Sequence, residues 1–229
     1  GLELWRELYK PFGVIPFAGG NTGVQAAGWF KKEINSVEDL QGLKIRIPGL
    51  GGEVMKKVGA VPVALTGGEL FTSLQSGAID ATEWVGPYND LAFGFYKVTD
   101  FYYTSGWHEP GAMLEFTVNE KAFKELPKDL QKIVEVATRA VNQDMLDEYT
   151  ARNNAAIDTL KNKHGVKFMA LPKDVMTALK QASAEVIAEQ EEADPMFAKV
   201  MASYKQFQNQ VSAYHQLSEV EYYKNRDGE

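Results

Sequence analysis

The chain of 229 residues contains no cysteine and only three histidines. The first absence removes disulfides and thiolate metal centres from consideration. The second leaves His108, His164 and His215 too far apart in sequence to form a helical metal-binding pair. No apolar run approaches the roughly 20 residues needed to cross a bilayer, and no signal-peptide pattern, tandem repeat or low-complexity stretch is present. Positive charge is not in excess: 24 Lys and Arg stand against 31 Asp and Glu, a net charge of −7. That balance argues against a nucleic-acid partner, which needs concentrated basic charge to displace counterions. It leaves room for a small anion held by one arginine. Nucleophile-elbow, phosphate-loop and dinucleotide fingerprints are also missing, which lowers an enzymatic reading.

What is present is an alternation of short strands and short helices. Ile45 and Ile47 alternate with Lys44 and Arg46 before Pro48 and the Gly49, Gly51, Gly52 cluster, so a strand is expected to end with Arg46 near its carboxyl end. Further strands are expected at 13–17, 25–30, 61–64, 78–84, 101–103 and 113–119. Ala18 to Gly23 reads as a glycine-rich loop, and Ser36 with Asp39 as a helix cap. Helices are expected at 1–13, 53–58, 69–75 and 88–96. This grammar predicts an α/β fold with parallel or mixed pairing. From Asn119 onward the pattern turns helical, with one long helix from Leu126 to about Lys163, a short strand at 166–169 and another helix from Pro172. Asp194-Pro195 breaks or bends that last helix before it resumes to about Tyr223, ahead of a polar tail from Lys224. Its stripe of Val200, Tyr204, Phe207, Val211 and Tyr214 requires cover, first of all from the chain's own sheet and otherwise from a partner subunit.

Polar residues follow several strand-like runs: Gln25, Arg46, Glu83 with Trp84, and the Trp107-His108-Glu109-Pro110 turn. Ligands of open α/β sheets dock outside the carboxyl ends of strands, and a guanidinium there offers a planar fork matched to a carboxylate. The same Arg46 also reads as half of a structural ion pair. Gln25 and Glu83 offer hard oxygen atoms to a cation; Gln25 equally reads as a loop hydrogen bonder, and Glu83 as a cap or structural partner. If all converge, a ligand carboxylate, Arg46, Glu83 and a monovalent ion sum to zero charge, and adding Glu109 calls for a divalent ion. His108 beside Glu109 admits an acid–base reading on a carbonyl substrate. Neighbours on a strand point to opposite faces, which argues against their acting as a direct pair.

Several segments resemble the solute-binding proteins of tripartite ATP-independent periplasmic (TRAP) transporters. They are Asn21-Thr22-Gly23-Val24-Gln25, Gly28-Trp29-Phe30, the run from Asp39 to Gly49 that holds Gly42-Leu43-Lys44-Ile45-Arg46, the run from Leu74 to Pro87 that holds Glu83-Trp84-Val85-Gly86-Pro87, and Gly106-Trp107-His108-Glu109-Pro110-Gly111. The last two point to the branch that binds 2-oxo acids such as pyruvate or 2-oxobutyrate, or hydroxy acids such as lactate, with a metal cation. The resemblance implies a two-lobed α/β periplasmic binding protein with mixed sheets and long carboxyl-terminal helices, no catalytic turnover, and delivery of the ligand to a membrane permease.

By the same resemblance Arg46 pairs with the substrate carboxylate, with Asn21, Gln25, Trp84 and Glu109 as further substrate contacts. Gln25, Glu83 and Trp84, the last through its backbone carbonyl, hold sodium or calcium. The long helices resemble those that form swapped homodimers in this branch. The expected division is 1–30 as the remainder of a first lobe and crossover, 31–118 as a second α/β lobe, and 119–229 as a helical segment bridging both. Because family members carry roughly another third of chain before the matching point, Gly1 reads as the start of a fragment, with an export signal removed or outside it, missing strand partners and an exposed sheet edge.

Overall fold

The computed structural model describes residues 1–228. In chain order it comprises α1 (Leu2–Tyr9), β1 (Val14–Asn21), β2 (Gly28–Phe30), β3 (Lys44–Arg46), α2 (Gly49–Lys57), β4 (Val61–Val63), α3 (Leu70–Ser76), β5 (Ala81–Thr82), α4 (Pro87–Phe93), β6 (Phe101–Thr104) and β7 (Met113–Asn119). Then come α5 (Glu120–Glu125), α6 (Lys128–Asp158), β8 (Lys167–Ala170), α7 (Lys173–Ala193), α8 (Pro195–His215) and α9 (Glu221–Asp227). Two sheets form, one six-stranded in the order β4-β3-β5-β2-β6-β8 and one two-stranded, β1-β7. In the larger sheet β3 runs parallel to β4 and β5, β6 runs parallel to β8, and β2 is antiparallel to both β5 and β6.

The larger sheet is apolar on both faces, and strand periodicity decides which residue serves which face. Phe30 and Tyr103 enter a core with Ile45, Ile47, Val54 and Met55. That core is closed by Val175, Leu179, Ala182 and Val186, whose spacing marks one face of α7. Their neighbours Trp29 and Tyr102 point the other way, into a core with Leu70, Leu74, Ile79, Phe95 and Leu160. Complete burial of a side chain of this size contributes about 1.5–3 kcal/mol, so these two layers hold the sheet. The capping box expected at Ser36 and Asp39 forms, and Gly77 ends α3 in the left-handed conformation.

Three expected element bounds need correction. The glycines at 19 and 20 do not form a loop but continue β1, with an irregularity in pairing between Ala18 and Gly20. A Cβ at Gly19 would stand 2.4 Å from the Phe116 ring, and one at Gly20 2.5 Å from Met145 Sδ, so glycine lets β7 and α6 close on this strand. Strand β5 shrinks to two residues, and α2 begins at Gly49 rather than Glu53. Of the break or bend expected at Asp194-Pro195 the break forms: α7 stops, Asp194 is extended, and its Oδ1 caps α8 by accepting from Met196 N at 2.7 Å and Phe197 N at 3.2 Å.

The α8 stripe does not lie on a sheet. Tyr204, Phe207 and Tyr214 are exposed, and Val200, Tyr204 and Phe207 face Leu4, Trp5 and Leu8 of α1 across a cavity of about 470 Å³. Lys199 ties the two helices by bonding Glu7 at 2.7 Å. Helix continues through the expected polar tail to Asp227, and Glu229 lies outside the described residues. Strand β7, which falls mostly in the 31–118 segment by position, pairs with β1 along their length rather than with the larger sheet. Met113, Leu114 and Phe116 on it are exposed.

Candidate functional site

Adjacent parallel strands bring the central pair together. Arg46, the last residue of β3, stands opposite Thr82 at the end of β5, so Arg46 and Glu83 emerge side by side at the carboxyl edge of the sheet. Arg46 Nη1 donates to Glu83 Oε1 at 2.5 Å, and its Nε donates to the Leu65 carbonyl at 3.3 Å. The Glu83 side chain is 3 % exposed and that of Arg46 13 %, so the pair is effectively desolvated. The guanidinium also lies 5.3 Å from the Trp84 ring centre. Trp84 in turn rests against Gly67, where a Cβ would come within 2.6 Å of the indole; a larger residue there would push the ring off its seat. A cavity of about 560 Å³ opens on the Arg46 side, lined by Ile47, Pro48, Val63, Leu65 and Thr66 among others.

Three loops meet at this edge and are stitched by backbone bonds. Ala26 N donates to the Val85 carbonyl at 3.0 Å, Gly106 N to the Gln25 carbonyl at 2.7 Å, and Thr22 N to the Ala112 carbonyl at 3.2 Å. Gly106 has to be glycine, since a Cβ would lie 2.8 Å from the Gln25 carbonyl oxygen. The loop after β6 turns on Ser105, held at φ 63°. His108 and Glu109 follow in that loop rather than on a strand, so the opposite-face argument does not apply to them. His108 Nε2 lies 3.5 Å from Glu83 Oε2. One potential ligand atom from each of Glu83, His108 and Glu109 lies within 4.8 Å of the others. Burial raises the Glu109 carboxyl above its ordinary range; His108 and Arg46 pull it down and the Glu83 charge pushes it up.

Thus Arg46, Glu83, Trp84, His108 and Glu109 converge, and Trp107 packs against the core beneath them. Gln25 is buried. Its amide nitrogen donates to Thr22 Oγ1 at 3.2 Å while its carbonyl oxygen Oε1 has no partner, so the loop role and a free oxygen donor coexist in one side chain. Asn21 uses its side-chain oxygen locally, accepting from Gly23 N at 2.9 Å.

Sequence reasoning overlooked Asp90. It is wholly buried on α4 and accepts four hydrogen bonds. Val85 N and Gly86 N reach Oδ1 at 3.2 Å each, and Trp29 Nε1 and Tyr102 OH reach Oδ2 at 2.9 Å each. Burial pushes its carboxyl up to about 7 despite those donors. The available signal was an acid in the first turn of a helix whose cap, Gly86, has no side chain to satisfy the free N–H groups.

Residues 3–194 match the model of the family described as bacterial extracellular solute-binding protein, family 7. The monocarboxylate 2-oxoacid-binding periplasmic protein of Nostoc sp. is 43 % identical over 222 residues, which are 97 % of this chain and 61 % of that protein. The chain therefore spans less than two thirds of the length of that relative. A solved TRAP periplasmic solute-binding protein from Colwellia psychrerythraea, with bound calcium and pyruvate, is 48 % identical with a TM-score of 0.95, covering 98 % of this chain and 69 % of that one. A second, from Pseudoalteromonas atlantica with bound sodium and pyruvate, is 45 % identical with a TM-score of 0.93, covering 98 % and 68 %. A family match over most of the residues, together with two solved structures that superpose on the same α/β framework, leads to one conclusion: the chain belongs to the bacterial extracellular solute-binding protein family 7.

Proposed function

We propose that this chain forms part of a TRAP transporter solute-binding subunit that captures a small 2-oxo or 2-hydroxy monocarboxylate with sodium or calcium in the periplasm and delivers it to the membrane permease. The observation that carries the reading is the buried Arg46–Glu83 pair at the ends of two parallel strands, with Glu109 beside it. Without ligand the two charges satisfy each other. A carboxylate and a cation arriving together exchange partners with them: Arg46 forks the carboxylate and Glu83 turns to the cation. Either exchange alone strands a buried charge, which is costly. Ligand and ion binding are therefore coupled, and reciprocally so.

Gln25 fits the cation site through its unpartnered Oε1, and Trp84 through its backbone carbonyl. Trp84 also walls the substrate, and Asn21 shapes the adjoining loop. A single arginine suits one carboxylate, which favours monocarboxylates over dicarboxylates. The pyruvate bound in both related structures, and the 2-oxoacid in the name of the Nostoc relative, support the same ligand class. The division into segments 1–30, 31–118 and 119–229 fits this reading if the larger sheet, built mostly from 31–118 with β2 and β8 added from the flanking segments, is the body of one lobe. The exposed Tyr204, Phe207 and Tyr214 of α8 suit a homodimer contact through the carboxyl-terminal helices. Light scattering of the Tyr204→Glu variant tests that contact, with a shift to monomer expected. The acid–base alternative on His108 and Glu109 finds no support in a family of solute-binding proteins.

The test is thermal unfolding with pyruvate, 2-oxobutyrate, lactate or a dicarboxylate, each with sodium, calcium or chelator. A ligand at a hundred times its Kd adds about 2.7 kcal/mol of stability. A clear upward shift is expected only with a monocarboxylate and a cation together; an equal shift in sodium-free buffer with chelator would refute the coupled site.

A further inference from the structure

Of the four consecutive backbone carbonyls from Glu83 to Gly86, three accept a hydrogen bond. The Glu83 carbonyl accepts from Thr82 Oγ1 at 2.9 Å, that of Val85 from Ala26 N at 3.0 Å and that of Gly86 from Asp90 N at 2.9 Å. Among the described residues no group donates to the Trp84 carbonyl. Tyr88 N, four residues on, donates to Asn153 Oδ1 at 2.9 Å instead. The other side of the same peptide group is held. A trans peptide is planar, so the Trp84 carbonyl and the Val85 N–H point in opposite directions from one rigid unit. Val85 N donates to Asp90 Oδ1 at 3.2 Å, and Gly86 N fixes the next peptide plane on the same oxygen, also at 3.2 Å. Asp90 is itself anchored to the sheet, because Trp29 Nε1 and Tyr102 OH hold its Oδ2 at 2.9 Å each.

We propose that Asp90 is a positioning residue for the sodium or calcium site: by clamping the Val85 and Gly86 amides it fixes the peptide plane that carries the Trp84 carbonyl and keeps that oxygen free for the ion. The inference rests on the reading of the Trp84 carbonyl as a ligand of the cation. Asp90 lies on the far side of the peptide and does not touch the ion. Hard cations such as sodium and calcium take backbone carbonyl oxygens. A carbonyl that must first be ordered weakens binding, whereas one already fixed does not. An acceptor on the N–H side also polarises the peptide group, which makes its carbonyl oxygen a stronger ligand. The wholly buried carboxyl on α4 thereby connects the two central strands, through Trp29 and Tyr102, to one backbone oxygen of the site.

The test measures calcium affinity in the presence of pyruvate for the parent protein, Asp90→Ala, Asp90→Asn and Tyr102→Phe. Losing the outer partner of a metal ligand costs about 10–100-fold in affinity, and a loss in that range is expected for Asp90→Ala. Asp90→Asn keeps an oxygen that can accept from both amides and is expected to recover most of the loss. Tyr102→Phe removes a donor from Oδ2 and leaves the amide clamp in place, so calcium affinity should match the parent's. A second readout needs no variant. Trp84-Val85 is the only Trp-Val step in the sequence, so protein labelled with carbonyl-¹³C tryptophan and ¹⁵N valine gives a single carbonyl–amide NMR cross-peak. Its carbonyl resonance is expected to move when the parent is loaded with calcium and pyruvate, while the Val85 N–H stays protected from exchange. Parent-like calcium affinity in Asp90→Ala, or a carbonyl resonance that stays in place in the loaded parent, overturns the proposal. The reading beneath it fails separately. If calcium and pyruvate give the parent no melting shift, the cation site is wrong and the proposal falls with it; a normal shift with either overturning result leaves coupled binding standing and removes only Asp90 and the Trp84 carbonyl from it.

Discussion

Two buried acids bracket one loop, and their surroundings differ in kind. Glu83 faces a guanidinium and an imidazole, groups that can leave it for another partner. Asp90, seven residues on, faces two backbone amides, an indole and a phenol, all fixed by the sheet and by the start of α4. Burial penalises both charges; what differs is the replacement for water. An opposite charge can be exchanged for another ion, while fixed neutral dipoles hold a carboxylate in place. The first arrangement suits a site that loads and unloads. The second suits a latch: through Val85, whose carbonyl accepts from Ala26 N, Asp90 holds the segments that carry Glu83, Trp84 and Gln25.

The sharpest way to break this contrast is Asp90→Ala. It strands four buried donors at once, and because each costs about 1–3 kcal/mol when unsatisfied, a stability loss of about 4 kcal/mol or more in urea unfolding is expected. Arg46→Ala comes next. It leaves Glu83 buried without its ion partner, a change worth about 3–5 kcal/mol in buried pairs, and it abolishes the carboxylate-induced melting shift. If Arg46→Ala cost nothing in stability and left the ligand shift intact, Glu83 would be no exchangeable site. Glu83→Gln separates the roles further, because the shift with pyruvate should lose its dependence on added cation.

The pH profile sharpens the other half. The folded Asp90 carboxyl holds its proton up to about pH 7, while an unfolded one releases it near 3.8. Between those values the folded state binds more protons, so this group makes stability decline as pH rises. Asp90→Asn should remove that slope, seen by chemical unfolding at pH 4.5 and 7.5. The smallest effect is expected for Tyr102→Phe, which removes one of four donors: about 1 kcal/mol of stability and no change in carboxylate affinity.

Much of this contrast was visible along the chain, and some was not. Arg46 at the carboxyl end of its strand followed from the alternation of Ile45 and Ile47 and the Pro-Gly stop, because strand period and chain punctuation are local. Its pairing with Glu83 needed the parallel register of β3 and β5, a property of two segments that only packing brings together. Gly19 and Gly20 looked like a loop because glycine marks turns; they are strand because Phe116 and Met145 occupy the space where side chains would lie. Asp90 was passed over because an acid in a first helical turn is ordinary on a surface, and only Trp29 and Tyr102, from distant strands, make it a buried latch. The amino-acid sequence by itself determined the α/β alternation, the end of β3 at Arg46, the Ser36–Asp39 cap and the stock of charged groups, all written in local periodicity and composition. The tertiary structure decided which of those groups lost water and which partner each met, since desolvation and contact depend on segments whose separation in the chain carries no trace of their closeness in space.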